Sequence, residues 1–447
     1  MSKNVSAFST QSKIPLLKGF IESNKTLITT LFLIFITILV YFPILSHKFQ
    51  MHWDDQWVVV NAYTEDGLTK INLWAILTEF YNGQYAPANQ LSYTLLYSAF
   101  GYNPFWFHLL GLVIHVSNVV LVYLFIKKLL NLSKSFTPES VTRIAFLTAI
   151  IMAVHPFLVE SVAWLSASKI LIYSFFYLIA IHIYLSYLVS RKTVHYLLVV
   201  LFFILSFAGK EQAVTLPVCL LLIDYALKRD FRNKKLWLEK LPLFIIAFIF
   251  GYITLLSQSA DKAGLLSEAP HYPFYQNIIF ASYSVTEYLV KCLIPIKLSY
   301  LYVFPNAIGR EVPVRFWIYP AMLLIICVSF WGFWKKHWIF FGIAFFIVHL
   351  GVVLHIIPIS RFAIVADRYV YIASIGIFFL MAYLVDKALG NIKYRTLTIT
   401  LSFLYVFSIG IYAHQHSKIW HDSDMLKQEL KELLKKRNEF QKHNPNK

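Results

Sequence analysis

Charged side chains are scarce in this chain: they make up 14% of its 447 residues, against 58% that are hydrophobic. A soluble domain carries about 25% charged residues and needs them to cover its surface. The shortage excludes a water-soluble globular protein and leaves lipid as the solvent that suits the composition. Cysteine is scarcer still. Cys219, Cys292 and Cys327 lie in or beside apolar runs at unrelated spacings, which gives neither a disulfide framework nor a zinc motif. A cleavable leader is also missing. Residues 27–45 are long enough to span, and Ile44-Leu45-Ser46 lacks the small-residue pattern of a cleavage site, so this run reads as a retained first helix. No internal repeat is visible.

What remains is a series of apolar runs near 26–46, 105–126, 141–158, 170–190, 194–208, 213–227, 241–257, 314–334, 337–357, 367–386 and 395–413. They predict an all-α integral membrane protein, a polytopic bundle of about eleven transmembrane helices. The 17% aromatic content suits interfacial belts. The stretch 276–292 holds Ser282, Ser284, Thr286, Glu287 and Lys291, too polar for a lipid-facing span, and reads as an interfacial or re-entrant helix.

The net charge of +17 raises the question of nucleic acid, and the placement of the charge answers it. Of 40 Lys and Arg, 21 fall in segments that alternate as cytoplasmic, 11 on the opposite side and 8 in the C-terminal tail. That is the positive-inside bias, and the partner it implies is a bilayer and no nucleic acid. It predicts a multi-pass protein of the cytoplasmic membrane with residues 1–25 inside, a transmembrane domain over 26–413, and an extracytoplasmic tail over 414–447. Leu426, Leu430, Leu433 and Leu434 recur at helical spacing among Lys and Glu in that tail, the pattern of an amphipathic helix. The first outer loop, 47–104, is rich in Trp, Tyr, Asn and Asp, and long loops of this kind are usually functional.

An ionisable side chain at a helix centre costs roughly 2.5–3.5 kcal/mol on insertion scales, so charges at helix ends need a reason. Asp54 and Asp55 follow the first span; His155 and Glu160 close the third; Lys169 opens the fourth. Lys210 and Glu211 join the fifth to the sixth, and Arg361, Asp367 and Arg368 precede the tenth. All fall on one side. Interfacial anchoring explains the cations, but anchors need no carboxylates. A site for an anionic lipid headgroup wants cations for phosphate and a carboxylate for proton transfer. Adjacent aspartates point about 100° apart on a helix, so one of Asp54 and Asp55 can face a substrate while the other caps or braces. His108, His115 and Asn118 share one helix face, where buried hydrogen bonding explains them better than metal ligation. No metal and no cofactor is expected.

The motifs, taken in order, resemble a known family. They are Trp53-Asp54-Asp55 with Asn61, Gln84-Tyr85-Ala86-Pro87-Ala88-Asn89-Gln90-Leu91-Ser92-Tyr93, and Gly101-Tyr102-Asn103-Pro104-Phe105-Trp106-Phe107-His108 with His115 and Asn118. His155-Pro156-Phe157-Leu158-Val159-Glu160-Ser161-Val162-Ala163-Trp164, Gly209-Lys210-Glu211, Pro295-Ile296-Lys297-Leu298-Ser299, Ala366-Asp367-Arg368-Tyr369-Val370-Tyr371-Ile372 and Trp420 complete the series. The set resembles the membrane part of the transmembrane-and-TPR O-mannosyltransferases and their bacterial relatives, within the GT-C glycosyltransferases.

The resemblance implies a GT-C-like bundle with a catalytic acid in a structured first outer loop. It also implies transfer of a mannose-like sugar, with inversion, from a polyprenyl-phosphate carrier to a hydroxyl of a protein or glycan acceptor. Asp54 or Asp55 becomes the expected base. Arg368, Lys169 and Lys210 become the expected phosphate ligands, with His155, Glu160, Glu211, Asp367, Tyr85 and Asn89 around the substrate. The chain departs from the family pattern at Ala86, where Arg is usual, and at Ser168 and Ile170, where Arg and Asp are usual. A transporter or flippase of lipid-linked or anionic substrates, a lipid-linked glycan polymerase and a non-catalytic scaffold are the competing readings. The one-sided charge and the missing repeat speak against a transporter.

Overall fold

The computed structural model describes residues 13–259, 272–354, 356 and 363–443. Arg361 lies outside them. Among the described residues the fold is all helical, with only two isolated β-bridges, Tyr81 to Gln84 and Tyr302 to Val365.

The helices that frame the bundle are α1 (Lys13–Tyr41), α2 (Pro104–Ser133), α3 (Pro138–Val154), α4 (Ser168–Ser190), α5 (Thr193–Gly209) and α6 (Leu216–Ala226). They continue as α7 (Lys234–Ser259), α8 (Phe274–Leu293), α9 (His337–Leu350), α10 (Ser374–Leu389), α11 (Arg395–Ser417) and α12 (Ser423–His443). Among the described residues, five stretches are long and apolar enough to cross a membrane: Asn24–Ser46, Pro104–Ser133, Leu165–Ser190, Lys234–Ser259 and Arg395–Trp420. A sixth results if Pro138–Val154 and Pro156–Ala163, bent by 58°, count as one. That is the make-up of a multi-pass membrane protein.

Other expected spans are shorter as helices. α5 has 17 residues and α6 has 11; at 1.5 Å per residue these reach about 26 and about 17 Å, short of a hydrocarbon core about 30 Å thick. Residues 276–292 fall in α8, one unbroken 20-residue helix whose Gln276, Asn277, Ser284 and Lys291 are buried. α12 carries the helical tail, with Leu426 buried.

Helix ends are set by local chemistry. Gly101 takes φ +60° to close the helix Pro87–Phe100, the Asn103 side chain accepts from Phe105 N, and Pro104 occupies the first turn of α2, where its missing N–H costs nothing. Thr137 and Pro138 open α3 in the same way. The bend after α3 has an identifiable cause: Pro156 cannot donate, His155 before it is extended, and His155 Nδ1 accepts from Phe157 N at 3.3 Å. This break turns Glu160 toward Arg368 in the segment before α10.

The core lies between α2, α3, α4 and α10. His115 Nδ1 meets Tyr371 Oη at 2.6 Å, and the Asn118 amide donates to Leu171 O at 3.1 Å, so both serve the buried hydrogen bonding expected of them. Close packing also explains Gly209. A methyl group there would lie 2.8 Å from Tyr173 N and 3.0 Å from Tyr173 Cα, because the end of α5 rests on the backbone of α4. Gly209→Ala must push α5 off α4 and shift Lys210 with it. Overpacking of this kind costs about 1–3 kcal/mol. A lowered thermal unfolding midpoint in detergent checks it; an unchanged midpoint contradicts the contact.

Candidate active site

The segment after α1 turns twice and presents the two aspartates differently. Asp54 stands just ahead of the short helix Asp55–Val58, half-buried, and accepts from Trp57 Nε1 at 3.3 Å. Asp55 points the other way and is fully buried. Its Oδ2 accepts from Gln50 N at 2.8 Å; its Oδ1 accepts from Ser166 N at 3.0 Å and from the Ser166 hydroxyl. Burial pushes the Asp55 carboxyl above its ordinary pKa, while the Ser166 hydroxyl and the Gln50 and Ser166 N–H groups pull against it. Gln50 in turn donates through Nε2 to Trp420 O at 2.8 Å. Asp55 therefore ties the first loop to the start of α4, with Trp420 held alongside.

Asp54 faces a cavity of about 370 Å³. Its polar wall includes Gln84, Tyr85, Lys169, Lys210, Glu211 and Arg368, with Trp57, Trp164 and Tyr369 as aromatic surfaces. Its other wall is mixed: Gly251, Thr254, Leu255, Ser257 and Gln258 of α7, with the apolar Val214, Val352 and Val353. Six of the residues singled out from the sequence thus line one space: Asp54, Tyr85, Lys169, Lys210, Glu211 and Arg368.

Each cation is placed by its neighbours. Asn82 and Gly83 take positive φ in a tight turn closed by Tyr81 and Gln84, with bonds of 3.0 Å in both directions, and this aims Gln84. Gln84 Oε1 then accepts from Lys169 Nζ at 2.6 Å. Lys210 pairs with Glu211 at 2.9 Å and lies 5.9 Å from the Tyr369 ring centre. Desolvation at the cavity mouth works against ionised Glu211, but the Lys210 and Lys169 ammonium groups prevail and hold its pKa below the ordinary value. The Arg368 guanidinium pairs with Glu160 Oε1 and lies 5.2 Å from the Trp164 ring and 4.9 Å from the Tyr369 ring. Arg368 N donates to Glu160 Oε2 at 3.1 Å. Lys169 forms no direct ion pair among the described residues, although the Glu211 and Asp54 carboxylates stand close enough to interact with it.

Compared with known proteins, the chain matches no family model and no curated protein. Its site must be read from its own geometry.

Other singled-out residues stand outside the cavity lining. Asp55 braces the loop, and Glu160 sits behind Arg368 and fixes it from two sides. His155 is buried at the bend, its ring 4.7 Å from that of Phe378. Asp367 is buried beside Arg368. Asn89 is buried and accepts from the Ser168 hydroxyl at 2.9 Å. Ser168 also meets Tyr93 Oη at 2.7 Å, and Ile170 is fully buried, so neither of these departures from the family pattern faces the cavity. Sequence reasoning passed over Trp57, Gln84, Trp164 and Tyr369, although the last three stand inside the quoted motifs. Sequence reasoning also passed over the α7 residues, among them Thr254, Ser257 and Gln258 at the polar end of an apolar run.

One consequence separates the aspartates. Asp55→Asn would set an amide, partly a donor, against three donors in a buried place. Leaving buried groups unsatisfied costs about 1–3 kcal/mol each. The expected result is a clear fall in thermal stability, whereas Asp54→Asn leaves stability unchanged; equal stability of the two variants contradicts the assignment.

Proposed function

We propose that this chain is a membrane glycosyltransferase that moves a sugar from a polyprenyl-phosphate carrier to an acceptor hydroxyl. The observation that carries the reading is the company of Asp54: two carboxylates, Asp54 and Glu211, and three cations, Lys169, Lys210 and Arg368, around a single cavity that also has Val214, Leu255, Val352 and Val353 in its lining. When the sugar leaves, negative charge grows on the phosphate oxygens. Preorganised cations in a water-poor site stabilise that charge without reorganising. Arg368 offers a planar fork to two phosphate oxygens, and its pairing with Glu160 holds the fork still. Lys169, held by Gln84 and in no direct ion pair among the described residues, supplies a further positive charge.

Asp54 takes the proton of the acceptor hydroxyl as its oxygen attacks the anomeric carbon. The bond from that carbon to the carrier phosphate oxygen breaks as the new glycosidic bond forms, so the configuration inverts. The phosphate keeps the bonding electrons. Asp55 positions Asp54 and the loop. The apolar side chains Val214, Leu255, Val352 and Val353 suit the start of the carrier chain.

The same reading completes the membrane picture: a GT-C-like multi-pass bundle with its N-terminus cytoplasmic, its cavity at the extracytoplasmic border, and a mannose-like sugar passed to a protein or glycan. The test is reconstitution of the full chain with a panel of polyprenyl-phosphate hexoses. Release of polyprenyl phosphate with an inverted glycoside as product supports the reading. No turnover with any donor, by folded protein and with both protein and glycan acceptors supplied, overturns it.

A further inference from the structure

A second large opening lies on another face of the bundle and shares no lining residue with the Asp54 cavity. It is a groove of about 700 Å³ between α1, α3, α10 and α11. Side chains such as Phe32, Ile36, Leu147, Ile150 and Val406 make its walls, and no carboxylate lines it. α1 and α11 belong to stretches apolar enough to cross a membrane, and α3 joins them when it is counted with Pro156–Ala163, which suits a groove open to hydrocarbon.

Its two ends differ in charge. At one end Arg143 is matched by Asp386, with Nη2 to Oδ1 at 2.7 Å and a second bond from Nε at 2.8 Å. At the other end stand His414, Gln415 and Lys418. His414 Nδ1 is used on Val40 O at 3.1 Å. Lys418 is exposed and forms no ion pair among the described residues. An apolar trough along the helices, ending in one unmatched cation at the chain's polar border, has the charge and polarity profile of a phospholipid with an anionic headgroup. A docked apolar helix would fill the trough but leave the Lys418 ammonium uncompensated.

We propose that this groove binds one anionic diacyl phospholipid, its chains along α1 and α11 and its phosphate on Lys418 with the Gln415 amide beside it. A basic side chain near the headgroup plane contributes about 1 kcal/mol toward an anionic lipid, roughly a fivefold change in affinity.

The test is native mass spectrometry of the full chain after delipidation, titrated with phosphatidylglycerol and with phosphatidylcholine of the same acyl chains. One phosphatidylglycerol should be retained, several-fold more tightly than phosphatidylcholine. Lys418→Gln, an exposed change that leaves the thermal unfolding midpoint in place, should weaken it roughly fivefold. Val406→Trp, which narrows the trough, should reduce retention of both lipids. Equal retention of the two lipids, or retention that neither variant changes, would mean ordinary annular lipid and overturns the proposal. So would a dimer by light scattering that Val406→Trp converts to monomer, because a second copy would then own the groove.

Discussion

Asp54→Asn should lower turnover from a polyprenyl-phosphate sugar by about 10²–10⁴-fold while the protein stays folded. That is the range general-base catalysis contributes. Asparagine keeps the shape of the side chain and an oxygen that can still accept from Trp57 Nε1, now 3.3 Å from Asp54 Oδ1. What it loses is the ability to take a proton. The three cations remain in place, so the loss should fall on turnover and spare donor affinity. Measuring initial rates and the donor KM separately checks this: a large fall in kcat with little change in KM is the expected result. A fall confined to KM would make Asp54 a binding residue instead.

Glu160→Ala should destabilise the protein by about 3–5 kcal/mol, the cost of leaving one member of a buried ion pair alone. Glu160 is 2% exposed and holds Arg368 through both its guanidinium and its backbone N–H. Removing the carboxylate strands a cation between Trp164 and Tyr369. Adding Arg368→Ala to Glu160→Ala should recover part of that stability, since no unpaired charge then remains. Thermal or denaturant unfolding of the two single variants and the double variant completes the cycle. Strict additivity would contradict the pairing.

The contrast between these two carboxylates shows what the sequence carried and what it could not. Residue types at helix ends were enough to gather Asp54, Lys169, Lys210, Glu211 and Arg368, which line one cavity, because charge near apolar runs demands a reason. The choice between Asp54 and Asp55 was not legible. It depends on Ser166, 111 positions away, whose N–H and hydroxyl claim Asp55. Glu160 likewise reads as a substrate-facing residue until Arg368, 208 positions on, is seen to occupy it.

In the fold, strongly apolar stretches such as 105–126 and 241–257 announced long helices, which α2 and α7 provide. α5 and α6 read as full spans, since hydropathy reports apolarity and not length after Gly209, Lys210 and Pro217 have broken the chain. His155-Pro156 was a visible breaker inside the run 141–158, yet its consequence, a 58° bend that carries Glu160 to Arg368, required tertiary contacts to appear.

Equilibrium binding of a polyprenyl-phosphate sugar to Lys169→Gln, beside the unaltered chain, is the most direct measurement. Lys169 is the cavity cation that forms no direct ion pair among the described residues, so a lipid phosphate seated there must feel its removal. A charge-assisted hydrogen bond of this kind is worth about 1.5–3 kcal/mol, so affinity should fall roughly 10- to 100-fold. Unchanged affinity in a folded Lys169→Gln protein would mean that the phosphate sits elsewhere, and the cavity beside Asp54 would lose its claim to be the donor site.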